Sequence, residues 1–293
     1  MKTSSFFRAV ALVLFVSLFA SCSSDSATPV DNNTIEQHFD FTYADTEYPV
    51  INMTCVRGED YFEAAGYTAD NRTIDIVFNK HGKLISASAI STANGWENSF
   101  AYNKAEYFTF ELVNLDETNK VVEATYSGRV YENEYDFSSP YKLVSGSFKV
   151  KYTETTPQVP GIHYDAKING QDWHGSQSTE GSTDFSYTDI SGIADDKYEL
   201  QLRLPYNTSL LSTGTFSFNE STLYNKMVLN IFDAELGYPT PAVINSGTLT
   251  ISSVTRYGNG YIIEATFSFT ATDPATNQSI NISNGSLKVA YGN

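Results

Sequence analysis

Residues 121–127, Val121-Val122-Glu123-Ala124-Thr125-Tyr126-Ser127, read against residues 262–268, Ile262-Ile263-Glu264-Ala265-Thr266-Phe267-Ser268. Each run alternates apolar and polar side chains, the period of a strand with one buried face. A second matched pair follows each: Ser145-Gly146-Ser147-Phe148-Lys149-Val150-Lys151-Tyr152 and Asn284-Gly285-Ser286-Leu287-Lys288-Val289-Ala290-Tyr291. Strand patterning alone would repeat the alternation. It would not repeat Glu-Ala-Thr and Gly-Ser-x-Lys-Val at corresponding sites. The chain therefore reads as a tandem duplication.

The rest of each copy agrees in order. His38-Phe39-Asp40 opens the first and His163-Tyr164-Asp165 the second; Glu47-Tyr48 and Asp172-Trp173 follow at one offset. Ala65-Gly66, Ala69-Asp70-Asn71 and residues 74–78 match Ser191-Gly192, Ala194-Asp195-Asp196 and residues 198–202. Two copies are too few for a solenoid, so each is expected to hold its own core. The reading divides the chain into a leader (1–21), a flexible polar tether (22–35), a first β-domain (36–153), a linker (154–161) and a second β-domain (162–293). Pro157, Pro160 and Gly161 suit a short, stiff linker. The second copy carries an insertion around residues 218–243, with a strand at 226–232 and a proline-rich loop at Gly237-Tyr238-Pro239-Thr240-Pro241.

Tyr and Phe are abundant, charge is modest, and helical periodicity is nearly absent. The expected fold class is all-β: two tandem, related antiparallel domains, β-sandwich or β-barrel-like. Sandwich and barrel both stay open.

The N-terminus places the protein. Lys2 and Arg8 precede an uncharged run, AVALVLFVSLFA at 9–20, too short for a permanent membrane span. Ala20 and Ser21 lead into Cys22 and a polar stretch. Residues 18–22, LFASC, resemble a bacterial lipobox, with Phe19 where leucine is usual. The resemblance implies lipidation of Cys22, palmitate included, and anchoring of an outer-membrane lipoprotein at the cell surface or the periplasmic face. The alternative is a plain secretory signal in which Cys22 is incidental. Removing a leader with two bases and no acid takes the net charge from −16 to −18. Such a surface repels phosphate backbones, so nucleic acid is excluded as a partner. Only Cys55 remains after lipidation, in an apolar context that reads as a buried core thiol.

Asn169-Gly170 is a strong type I′ hairpin signal. A two-residue loop sets Ile168 against Gln171, Lys167 against Asp172, Ala166 against Trp173 and Asp165 against His174. Tyr164, Ala166, Ile168 and Trp173 then share the core face, and His163, Asp165, Lys167, Asp172 and His174 the other. His163, Asp165 and His174 are a candidate metal or proton-transfer group. Spacing places no third ligand beside the Asp165–His174 pair, and the first copy has Pro49 where His174 stands, so the reading is charge pairs with no metal and no cofactor. Asp70-Asn71 and Asp195-Asp196 read as turn residues rather than a calcium site. Trp96, Tyr102, Tyr107, Tyr131, Tyr135, Tyr141, Tyr238 and Tyr257 lie in or near expected loops, where exposed aromatics would stack on sugars; Trp96 and Tyr238 are the ligand-binding candidates among them.

The opening of the second copy, Ala166-Lys167-Ile168-Asn169-Gly170-Gln171-Asp172-Trp173, with residues 247–251, 265–271 and 282–285, resembles an uncharacterised domain family of Bacteroidota-type lipoproteins. The resemblance covers the second half and implies a secreted all-β lipoprotein with no activity attached. The first copy departs from it, with Ala44-Asp45 in place of Asn169-Gly170. No Gly-x-Ser-x-Gly elbow, phosphate-binding loop, His-Glu-x-x-His or dinucleotide fingerprint occurs. The expected function is a lipid-anchored, non-enzymatic binding or structural module of the cell envelope, partnered by polysaccharide or an envelope protein. The alternatives are a surface glycan-binding accessory protein and a hydrolase with an unmarked carboxylate pair.

Overall fold

The computed structural model describes residues 35–91, 95–156, 159–180 and 186–292. Cys22, the leader and the tether up to residue 34 lie outside them. The described residues are nearly all β, with two large sheets, one curled into a half-barrel. Among the described residues the only helical turns are the 3-10 segments Lys104–Glu106 and Thr208–Leu210. No helix there is long and apolar enough to cross a membrane.

The first sheet has 12 strands and uses residues 38–154; the second has 10 and uses residues 163–292. Both are meanders whose last long strand returns to the first. Tyr141–Lys151 pairs with His38–Phe39, and Ser279–Gly292 with His163–Ile168. Among the described residues all pairings are antiparallel except that of Thr153–Glu154 with Val50–Arg57.

The repeated motif has a physical meaning in this frame. Glu123 faces Lys149 across neighbouring strands at 3.3 Å, and Glu264 faces Lys288 at 3.4 Å. Tyr126 lies opposite Gly146, and Phe267 opposite Gly285. The matched residues are thus the cross-strand partners that set the register of each closing hairpin.

The hairpin at Asn169-Gly170 has the derived register, with φ 50° at Asn169 and 84° at Gly170, the sign a type I′ turn needs. Tyr164, Ala166, Ile168 and Trp173 are buried. Trp173 satisfies its indole by donating to Asp196 Oδ1 at 3.2 Å. Asn284-Gly285 is a bulge inside a strand: Asn284 has φ 52°, and the register shifts opposite both neighbouring strands.

Tyr238–Pro241 is a short strand, not a loop; it pairs with Lys226–Asp233 at the edge of the second sheet, the position where proline's missing donor costs no ladder bond.

Each sheet encloses its own apolar cluster, and a third cluster of Phe100, Tyr131 and Phe232 draws on both. Tyr131, expected near a loop surface, is fully buried there. From Glu36 onward the chain is one compact unit. The seam is fastened by the Lys83–Asp195 ion pair at 3.2 Å, by Ala105 N–H donating to the Asp195 carbonyl, and by Gln177 N–H donating to Asp60.

Candidate functional site

Two concavities open along this seam, and they share no lining residue. The first is a groove of about 430 Å³ lined by Glu59, Asp60, His81, His163 and Asp165 among others. Asp165 and His174 sit directly opposite on adjacent strands, with 2.7 Å between Oδ1 and Nδ1. Lys167 and Asp172 form the next pair at 2.6 Å. His163 does not join the cluster; its Nδ1 meets the Gly161 carbonyl at 2.9 Å.

The third member comes from the other sheet. His81 stacks on His174, ring centroids 3.7 Å apart and planes 3° from parallel. Asn79 builds the turn that presents it. Its Oδ1 accepts from the N–H groups of His81 and Lys83, both at 3.0 Å, and its Nδ2 donates to the His174 carbonyl at 3.3 Å. Gly82, at φ 75°, completes the turn. Burial, then the neighbouring His174, push the His81 pKa below its ordinary value. Burial likewise raises the carboxyl of Asp60 across the groove. The sequence carried no signal for His81 because its partners lie in the other copy.

The second concavity is a cavity of about 250 Å³ between the sheets. Tyr102, Tyr135, Tyr198 and Phe232 supply aromatic wall, and Asn98, Asn103, Glu134 and Glu199 supply hydrogen-bonding groups. Lys104 also lines it, with Nζ donating to the Ala101 carbonyl at 2.7 Å. Burial pulls the Lys104 amine down to about 8 against the opposing pull of Asp195, Glu134 and Glu199. Tyr102 and Phe232 stack across the seam at 6.3 Å, and Tyr135 meets Tyr102 at 6.1 Å. Trp96 and Tyr238 are exposed, but neither lines this cavity.

The second half, read from its motifs as an uncharacterised domain, carries one: residues 162–289 match DUF6252, a domain of unknown function. No curated protein and no solved structure matches the chain.

Proposed function

We propose that this is a lipid-anchored, non-enzymatic binding protein of the cell envelope that holds a small neutral saccharide between its two sheets. The observation that carries the reading is the seam cavity. Aromatic rings beside convergent amides and carboxylates suit a hydroxyl-rich ligand, whose ring faces stack while its hydroxyls bond. A net charge of −16, or −18 without the leader, argues for a neutral rather than an anionic sugar. The lipobox-like residues 18–22 support the anchor.

Saturation-transfer NMR with glucose, galactose, N-acetylglucosamine, cellobiose and maltose tests the ligand. At least one should bind, and Tyr102→Ala and Tyr135→Ala should weaken it while Trp96→Ala does not. No binding to any of the five, or binding indifferent to Tyr102, would defeat the reading. Glu134, Asp196 and Glu199 line the same cavity, which keeps a hydrolase as the second reading. Released product from the disaccharides, lost in Glu134→Gln, would favour it. For the anchor, Cys22→Ser should release the protein from membranes and abolish incorporation of labelled palmitate. Protease shaving of intact cells then separates surface from periplasmic display.

A further inference from the structure

We propose that His81, Asp165 and His174 form a binding site for a divalent transition-metal ion of the zinc type, bridging the two sheets at the seam. One ligand atom from each residue lies within 4.8 Å of the other two. Two imidazoles and a carboxylate are a donor set that such ions take readily, with water completing the shell. The site is separate from the saccharide cavity and does not depend on it.

Two of the ligands are already in place. Asp165 and His174 are locked opposite each other by the hairpin register. The third is delivered by a turn tied to the same strand, because buried Asn79 holds both the His81 backbone and the His174 carbonyl. Two stacked imidazoles cannot both be charged without repulsion. A neutral ring, the form that binds metal, meets its neighbour without that repulsion.

Binding needs two small adjustments. Parallel rings point their in-plane lone pairs alongside each other, so His81 must turn; it is the exposed member and is free of the core. Ligand atoms on a tetrahedral zinc stand about 3.3 Å apart. The 2.7 Å contact of Asp165 with His174 therefore opens as the ion replaces the shared proton. The adjoining groove admits the ion and its remaining water. The equivalent place in the first copy is not a site. His38 and Asp40 stand 4.0 Å apart there, Ser147 takes the acid, and Pro49 replaces the second imidazole.

The test is titration of the metal-free full chain with Zn²⁺ by calorimetry and with Co²⁺ by visible absorption. One ion per chain is expected, with ligand-field bands of low-coordinate cobalt and a rise in the thermal midpoint on adding Zn²⁺. His81→Ala should weaken Zn²⁺ by about tenfold or more and abolish that rise, with an unchanged far-ultraviolet spectrum. His38→Ala and His163→Ala should behave as wild type. Absence of Zn²⁺ binding would overturn the proposal. So would affinity unaltered by His81→Ala, or affinity lost in His38→Ala or His163→Ala instead.

Discussion

Phe267 lays its ring over Gly285 on the neighbouring strand, in the space a Cβ would fill. In the first sheet Gly146 lies opposite Tyr126, and the space a Cβ would fill there is taken by the Asp40 carbonyl and the Tyr126 hydroxyl that donates to it. Gly285→Ala and Gly146→Ala should each destabilise the protein by about 2–4 kcal/mol through overpacking. Gly146→Ala should cost more, because its obstacle is backbone rather than a ring that can shift. Urea unfolding of the two variants measures both.

The turn at Ala44-Asp45 takes the conformation that Asn169-Gly170 takes in the second copy, with φ 48° and 63°, although alanine does not favour it. The closing strands impose a left-handed backbone on an alanine. Replacing the pair with Asn-Gly should stabilise the protein by about 1 kcal/mol. A thermal midpoint at or below that of wild type would show that the turn carries no strain.

Asp75 is half-buried, its Oδ1 has no hydrogen-bond partner, and burial followed by Glu63 pushes its pKa up to about 6. The native state thus holds this proton more tightly than the unfolded chain. Stability from this group falls as pH rises between about 4 and 6 and stays lower above that range. Asp75→Asn should stabilise the protein at neutral pH by about 1 kcal/mol, the full shift being discounted for partial exposure. It should also flatten the pH profile across that window, as followed by urea midpoints.

Cys55 is buried, and burial, with Glu63 second, pushes its thiol up to about 12. A disulfide reagent at mildly alkaline pH should leave it unmodified in the native protein and react at once after denaturation. Rapid labelling of Cys55 in the folded chain would contradict the packing of the first core.

Local chemistry made part of this molecule legible. The Asn169-Gly170 turn fixed the register of its hairpin, and period-two alternation then assigned Tyr164, Ala166, Ile168 and Trp173 to the core. The duplicated motif was legible because cross-strand partners must match in kind: Glu123 with Lys149, Glu264 with Lys288. What failed was long-range. His81 joins Asp165 and His174 only because the sheets dock, and no local pattern encodes docking. Tyr131 and Tyr135 are the same residue type four positions apart, yet one is sealed in the shared core and the other lines a cavity. Tyr238–Pro241 misled because proline argues against a strand unless an edge is free, and edges are set by the whole sheet.

The proposed place of the ligand is the seam between the sheets. Hydrogen–deuterium exchange of the full chain, with and without a saturating amount of the tightest saccharide of the panel, tests it most directly. Exchange should slow in the segments lining the cavity, residues 98–104, 134–135 and 193–199. Protection confined to other surfaces, such as those around Trp96 or Tyr238, or no change with any saccharide, would contradict it.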